Sequence, residues 1–215
     1  MEIFDKKIAS EVATQLLEIK AIRLQPEKPF TWASGWKSPI YCDNRLSLSY
    51  PAVRNFIKES LAQVIKTNFT TAEAIAGVAT AGIPQGALLA DELSLPFVYV
   101  RSKPKGHGME NMIEGKVTVG QKVVVVEDLV STGGSSLKAV ADLRAAGFEV
   151  LGMVAIFTYG FEIAEKNFKE AGVKLICLSD YSSLLTPALA NDYIDDSTLA
   201  SLVEWRKDPA SWKPV

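Results

Sequence analysis

The sequence predicts an α/β fold in which a central, mostly parallel sheet is flanked by helices. From residue 73 onward, short apolar stretches alternate with helical patterns, as in the βα units of a parallel sheet. Several of these stretches, above all the valine run at 123–126, are apolar throughout, as expected of strands buried on both faces. The 215 residues suffice for one such domain with a sizeable core. We therefore expect a single domain over 1–215.

The first 70 residues have a different pattern. Apolar residues between 8 and 19 recur at spacings of three and four, which predicts an amphipathic helix. Residues 20–48 contain three prolines and short aromatic runs, and we expect them to form a small N-terminal hood of irregular structure and short strands. A second helix is predicted to begin at Pro51, because proline suits the first turn of a helix.

The remaining elements follow in alternation. Strands are predicted over 74–79, 97–101, 122–128, 149–159 and 174–179. Helices are predicted over 85–93, 135–146 and 162–171, with two weaker helical patterns near 183–191 and 196–206. A polar stretch rich in glycine, 102–121, separates the second of these strands from the third.

Charge and cysteine content exclude several classes of function. The 23 Lys and Arg residues nearly balance the 25 Asp and Glu residues, so the chain lacks the positive charge that drives non-specific nucleic-acid binding. Cys42 and Cys177 lie far apart and there is one histidine, which argues against a disulfide framework or a Cys/His zinc site. The N-terminus lacks a signal-peptide pattern, and no apolar run reaches the roughly 18 residues of a membrane span. We expect a cytoplasmic protein without nucleic-acid or membrane partners.

The most informative motif is VVVVEDLVSTGGSS at 123–136. Its strand ends in two acids, Glu127 and Asp128, and ligands of open α/β sheets bind beyond the carboxyl ends of the strands. Gly133 and Gly134 allow backbone N–H groups to turn inward at the start of a helix, which favours phosphate binding. The expected hydroxyl donors are Ser131, Thr132, Ser135 and Ser136.

The acid pair is the distinctive part of this motif. The segment matches neither GxxxxGK[ST] nor GxGxxG, which excludes the P-loop and Rossmann fingerprints. Carboxylates repel phosphate but accept hydrogen bonds from vicinal sugar hydroxyls, so the motif predicts a site for a ribose 5-phosphate. An alternative, in which Asp128 or Ser131 only caps the helix, leaves the two adjacent acids unexplained.

Three further segments carry candidate binding residues. Residues 100–115 combine Arg101, Lys103, Lys105 and His107 with several glycines, which predicts a flexible lid over about 102–115 that closes on phosphate or pyrophosphate; the alternative is a solvated connector. The turn GVATAGIP at 77–84 is a weaker candidate for a second anion site. The hood segment FTWASGWKSPIYCDNR at 30–45 has aromatic residues that suit a flat heterocycle, or equally a packed hood or subunit interface.

These motifs resemble the type I phosphoribosyltransferases. The segment at 123–136 looks like the family's phosphoribosyl-pyrophosphate (PRPP) motif: an apolar strand, two acids and a loop rich in Ser, Thr and Gly. The hood at 30–45, and the spacing of Arg101, Lys105, His107 and Gly108, are closest to the orotate phosphoribosyltransferases of that family. The resemblance implies the type I phosphoribosyltransferase fold.

The resemblance also implies an activity. It is the transfer of ribose 5-phosphate from PRPP to orotate, giving orotidine 5'-monophosphate and pyrophosphate in pyrimidine biosynthesis. Mg²⁺ would be bound through PRPP rather than by a metal site of the protein. A homodimer is implied, in which the lid of one subunit reaches the active site of the other.

The family pattern assigns roles to residues of this chain. The implied PRPP-binding residues of the motif are Glu127, Asp128, Leu129, Val130, Ser131, Thr132, Gly133, Gly134 and Ser135. Lys105 and His107 are implied to approach the pyrophosphate from the lid, and Arg101 is implied to bind it too. Lys105, His107 and Asp128 are the implied catalytic residues, and Ser131 is the implied contact to orotate.

The sequence departs from some members of the family. Ser102, Ala33 and Ala81 stand where those members have lysine, and the strand ending FTYG at 157–160 lacks an arginine offered to orotate. Lys37 and Lys103 are candidates to supply the missing charge. Two alternative functions stay open: a phosphoribosyltransferase for another base, such as a purine, and a PRPP-sensing regulator that binds nucleic acid without turnover.

Overall fold

The computed structural model describes residues 1–32, 35–103 and 112–213. The strands in these ranges are β1 (Glu2–Ile3), β2 (Ile22–Leu24), β3 (Phe30–Thr31), β4 (Lys37–Ser38), β5 (Ile40–Cys42), β6 (Ala74–Val78), β7 (Phe97–Val100), β8 (Ile113–Glu114), β9 (Lys122–Val130), β10 (Glu149–Thr158) and β11 (Leu175–Asp180). The α-helices are α1 (Lys6–Glu18), α2 (Pro51–Asn68), α3 (Gly82–Leu93), α4 (Gly134–Ala145), α5 (Glu162–Glu170), α6 (Tyr181–Ala190) and α7 (Asp196–Lys207). A 3₁₀ helix covers Asn44–Ser49.

The central sheet confirms the predicted α/β architecture. Seven of the described strands pair in the order β1-β11-β10-β9-β6-β7-β8. Every neighbouring pair is parallel except β7 with β8. The two-residue strand β1, which pairs with β11, was not predicted because it is too short to show a pattern. The hood contains two small antiparallel ladders, β2 with β5 and β3 with β4.

The valine run lies at the centre of two hydrophobic layers. Val124 and Val126 pack in the layer under α1, α2, α3, α6 and α7. Val123 and Val125 pack in the opposite layer, under α4 and α5. All four side chains are fully buried, and burying one is worth about 1.5–3 kcal/mol. Burial on both faces is the physical reason why β9 shows no alternation of polar and apolar residues.

Two boundaries differ from the sequence prediction in a way that shapes the site. Helix α3 begins at Gly82 rather than residue 85, because the end of the GVATAGIP turn forms its first turn. A methyl group on Gly82 would lie 2.5 Å from the carbonyl oxygen of Val126, so only glycine allows this approach of α3 to β9. Strand β9 runs on to Val130, so that the acid pair lies within it.

The length and apolar character of the helices decide whether one of them could span a membrane. Among the described residues, none of the helices combines the length and the apolar character that crossing a lipid bilayer requires.

Candidate active site

Two adjoining cavities lie beyond the carboxyl ends of β6 and β9, where an open α/β sheet binds its ligands. The first, called here the anion cavity, has a volume of about 310 Å³. Its lining residues are Cys42, Asp43, Arg45, Ala79, Thr80, Ala81, Glu127, Asp128, Leu129 and Ser135. The hood, the turn after β6 and the motif after the valine run therefore form one site. The Ala79–Thr80 peptide bond in its wall is cis.

The acid pair of this cavity differs in its surroundings from what the sequence suggests. Glu127 is 6% exposed, and its carboxylate accepts hydrogen bonds from the backbone N–H of Asp128 at 3.0 Å and from Oγ of Ser136 at 2.9 Å. Ser136 is itself buried, so the expectation that its hydroxyl faces a phosphate is wrong. Ser136 sits in the first turn of α4, on the side that packs against β9, and there it holds Glu127 in place.

Burial also shifts the acidity of both acids. The pKa of Glu127 is well above its ordinary value because the carboxyl group is desolvated, and the negative charge of Asp128 adds to this effect. The pKa of Asp128 is raised as well, mainly by burial. Two adjacent carboxylates at a poorly solvated site repel each other, so donors or cations brought by a ligand would stabilise the ionised pair further.

Glu127→Gln should therefore make the free energy of unfolding depend less on pH. Because folding raises the pKa of Glu127 above the ordinary value of about 4.3, the unfolded chain loses this proton first as the pH rises. The stabilisation is complete below the ordinary pKa and is lost as the pH rises through the raised one, by about 1.4 kcal/mol per unit of difference.

Urea unfolding between pH 4 and pH 8 measures this effect. Glutamine carries no such proton, so the variant should gain stability over the wild type as the pH rises. Glu18→Gln, a change at an exposed acid of α1, is the control and should follow the wild-type curve. Parallel curves for the Glu127 variant and the wild type across this range would contradict the raised pKa.

The loop after β9 has exposed and inward-facing members. Thr132, Gly134 and Ser135 are exposed, and Ser131 is half-buried. Val130 packs in the core, and its carbonyl oxygen accepts a hydrogen bond from Oγ1 of Thr158 at 3.0 Å. A ligand in these cavities would therefore meet Ser131, Thr132 and Ser135, whereas Val130 lies behind them in the core.

Gly133 sets the shape of this loop. It precedes the first residue of α4 with a φ of 83°, in the left-handed region that favours glycine. A methyl group there would lie 2.7 Å from Cε2 of Phe168, a core residue of α5. In addition, Nδ2 of Asn167 donates to the carbonyl oxygen of Thr132 at 2.9 Å. Helix α5 thus fixes the loop from behind.

The hood is joined to the acid pair by residues that sequence reasoning missed. Asn44 is fully buried, and its Nδ2 donates to the carbonyl oxygen of Asp128 at 2.7 Å. Beside it, Nε of Arg45 lies 2.6 Å from Oδ1 of Asp43, and this contact lowers the pKa of Asp43. The available signal was the polar run CDNR directly after a short hood strand, where the chain crosses to the sheet.

The second cavity, called here the aromatic cavity, has a volume of about 580 Å³. Its lining residues are Thr31, Trp32, Trp36, Tyr41, Cys42, Leu129, Ser131, Thr132 and Tyr159. Cys42 and Leu129 line both cavities, so the two adjoin at these residues. Of the aromatic residues predicted from the hood, Phe30 alone does not line the cavity; it packs on Tyr41 with ring centroids 5.3 Å apart.

Tyr159 was not singled out from the sequence. It follows β10, and its ring centroid lies 5.0 Å from that of Trp32. Burial raises its pKa well above the ordinary value, so the phenol keeps its proton and can donate a hydrogen bond. No cation is found among the described residues that line this cavity. Lys37 contacts one of the lining residues, because its Nζ donates a hydrogen bond to Oγ1 of Thr31 at 2.8 Å.

The residues predicted from the lid are only partly described. Nη1 of Arg101 lies 3.1 Å from Oε1 of Glu114, which anchors the arginine to β8. Its Nε donates to the carbonyl oxygen of Lys103 at 3.1 Å. Lys105 and His107 lie outside the described residues, as does Ala33 of the hood.

Comparison with known proteins decides the family. The family model of the phosphoribosyl transferase domain matches residues 48–183. An orotate phosphoribosyltransferase from Cytophaga hutchinsonii is 63% identical over 94% of this chain and 97% of its own length. The chain belongs to the orotate phosphoribosyltransferase family. Another relative in this family, from Bacteroides fragilis, is 59% identical over 97% of this chain and 98% of its own length.

Solved structures of the orotate phosphoribosyltransferase family have the same fold. The orotate phosphoribosyltransferase from Aeropyrum pernix superposes with a TM-score of 0.74 at 30% identity, covering 86% of this chain and 99% of that one. Leishmania donovani UMP synthase superposes with a TM-score of 0.79 at 27% identity. The match covers 93% of this chain and 42% of the synthase. The resemblance found in the sequence motifs is thereby confirmed.

Proposed function

We propose that this chain transfers the ribose 5-phosphate group from PRPP to orotate, forming orotidine 5'-monophosphate and pyrophosphate. The observation that carries the proposal is that the anion cavity and the aromatic cavity adjoin at Cys42 and Leu129. A phosphorylated sugar held in the first cavity has its anomeric carbon beside a flat base held in the second. The names of the relatives at 59–63% identity support orotate as that base.

PRPP would bind along the anion cavity. Amides and hydroxyls of 131–135 hold the 5-phosphate at the start of α4, where the helix dipole favours negative charge. Asp128, with Glu127 behind it, accepts hydrogen bonds from the ribose hydroxyls. The turn at 79–81 lies in the same cavity and offers backbone groups to the pyrophosphate. Ser131, which lines the aromatic cavity, contacts orotate.

The reaction is a displacement at the anomeric carbon of PRPP. The ring nitrogen of orotate forms the new bond to this carbon and releases its proton to solvent. The bond to the pyrophosphate oxygen breaks, and both electrons of that bond leave with pyrophosphate. Positive charge builds on the sugar and negative charge on the leaving group. Asp128 stabilises the first, and Arg101, Lys105 and His107 stabilise the second.

Magnesium fits this site as an ion carried by the substrate. The described residues contain no group of three or more His, Cys, Asp or Glu side chains that could hold a metal. Pyrophosphate and ribose oxygens would supply its ligands. When bound, Mg²⁺ neutralises negative charge on the pyrophosphate.

We also propose that the enzyme acts as a cytoplasmic homodimer of single-domain subunits. Arg101 stands at the base of a charged segment, anchored by Glu114, and the segment that follows would carry Lys105 and His107 to the neighbouring subunit. Mixing an inactive Lys105 variant with an inactive Asp128 variant should then restore part of the activity, because one site of the hybrid dimer is intact.

A spectrophotometric assay tests the proposed function. Orotate absorbance should fall when PRPP and Mg²⁺ are added, with release of one pyrophosphate per orotate consumed. Uracil, hypoxanthine and xanthine should be poor substrates in the same assay. Activity on a purine alone would reject orotate as the base. Retention on RNA at physiological salt without pyrophosphate release would favour the regulator that the sequence leaves open.

A further inference from the structure

Helix α7 lies outside the part of the chain that the family model matches, yet it contacts both walls of the aromatic cavity. On the hood side, the fully buried Trp205 donates from Nε1 to the carbonyl oxygen of Lys37 at 3.1 Å. The Trp205 ring also meets that of Trp32 edge-on, with centroids 5.6 Å apart and planes at 84°. Trp205 thus supports the hood strand and one ring that lines the cavity.

On the sheet side, the next residue of α7 holds the backbone at the end of β10. Arg206 donates from Nε to the carbonyl oxygen of Tyr159 at 3.2 Å and from Nη2 to that of Gly160 at 2.9 Å. Gly160 has a φ of 67°, and a methyl group on it would lie 2.8 Å from Nη2 of Arg206. Glycine at this position therefore leaves room for the guanidinium group.

The two contacts converge on one pair of rings. Tyr159 lies against Trp32 at 5.0 Å, and Trp205 meets both rings. Tyr181, at the start of α6, keeps α7 in register by donating from its hydroxyl to the carbonyl oxygen of Leu202 at 3.0 Å. Adjacent residues of one helix thereby fix the hood wall and the sheet wall of the aromatic cavity at a set separation.

We propose that Arg206 and Trp205 are positioning residues for recognition of the base. The inference rests on the proposed function, because it assigns the aromatic cavity to the base. Arginine suits this task since its planar fork presents donors on two separate nitrogens in a fixed geometry, whereas all donors of lysine lie on one nitrogen at the end of a flexible chain. Small displacements of supporting residues are costly in a site that must hold a reacting atom in place. None of the residues described as lining the anion cavity belongs to α7, so substitutions of Trp205 or Arg206 should change the binding of PRPP little.

Steady-state kinetics of Arg206→Gln test the proposal. The KM for orotate should rise by about tenfold, because the variant loses one or two hydrogen bonds that support the wall of the base site. The KM for PRPP should rise by less than about twofold, because these hydrogen bonds do not support the anion cavity. Arg206→Lys, which keeps the positive charge and one donating nitrogen, should give an intermediate KM for orotate. An unchanged KM for orotate, or equal rises for both substrates, would overturn the proposal.

Arg144→Gln is the matched control. Arg144 of α4 donates to the carbonyl oxygens of Ala171 at 2.9 Å and Gly172 at 3.3 Å, the same type of contact at a place away from the two cavities. It should lose comparable stability and keep both KM values. A rise in the KM for orotate in this control would mean that loss of stability, not position, causes the effect.

If Arg206→Gln does not fold, Trp205→Phe is a second variant that tests the proposal. This variant retains a ring in the core but loses the donor to Lys37, and the KM for orotate should rise about threefold to tenfold. Wild-type protein measured alongside separates the two claims. A wild type inactive on orotate would refute the proposed function, whereas an active wild type with unaltered variants would refute only the positioning role.

Discussion

Lys105→Ala should lower turnover by about 100- to 1,000-fold while the affinity for PRPP falls much less. A preorganised charge directed at a leaving group is worth about 3–4 kcal/mol in the transition state, where negative charge on the pyrophosphate is greatest. In the ground state, on the binding mode proposed above, Mg²⁺ and the backbone would already compensate the same oxygens. The effect should therefore appear in kcat rather than in the dissociation constant of PRPP.

Rapid mixing of saturating PRPP and orotate with the variant measures this loss at the chemical step. Lys103→Ala removes the same charge two positions earlier, at a residue that is itself a candidate to supply charge, and is compared with it; we expect its loss to stay below about tenfold. Turnover of the Lys105 variant close to that of the wild type would remove Lys105 from the catalytic role. Equal losses in both variants would indicate a general charge effect of the segment.

Gly133→Ala should weaken PRPP binding by roughly 10- to 100-fold, which corresponds to one charge-assisted hydrogen bond to phosphate. The new methyl group would lie 2.7 Å from Cε2 of Phe168, whose ring is buried and cannot retreat. The loop must then shift away from α5, which redirects its amide groups. Calorimetric titration with PRPP and Mg²⁺ measures the affinity.

Gly120→Ala separates this clash from the cost of the backbone conformation. Gly120 has a φ of 80°, close to that of Gly133, and nothing lies within 4 Å of a methyl group placed on it. Both variants should lose about 1–2 kcal/mol of stability because both place a side chain in the left-handed region, and the Gly133 variant should lose more because of its clash with Phe168. Only the Gly133 variant should lose PRPP affinity, and an equal loss in the Gly120 variant would contradict the role assigned to the loop.

The fold could be predicted from the sequence because its strongest signals are local. Four consecutive valines need two hydrophobic faces, and that requirement already implies helices on both sides of a parallel sheet. Pro51 likewise marks the start of α2 at the residue where the helix begins. The strand β1 lacked any such signal, because it has only two residues and pairs with Ile176 and Cys177, which are distant in the sequence.

The site was only partly predictable, for reasons of distance along the chain. Asp128 and Gly133 belong to one motif, and their neighbours in sequence are also their neighbours in space. Asn44 reaches the carbonyl of Asp128 across 84 residues, and Arg206 reaches Gly160 across 46, so no local pattern marks either contact. Ser136 was misassigned because a hydroxyl in the first turn of a helix can face either the ligand or the strand behind it.

The account depends most on the proposal that the loop after β9 binds a phosphorylated sugar. The crystal structure of the protein with PRPP and Mg²⁺ is the measurement that tests this most directly. We expect the 5-phosphate to accept hydrogen bonds from amides and hydroxyls of 131–135, with the ribose hydroxyls donating to Asp128. A complex in which PRPP lies elsewhere, or in which this loop contacts no phosphate, would contradict the account.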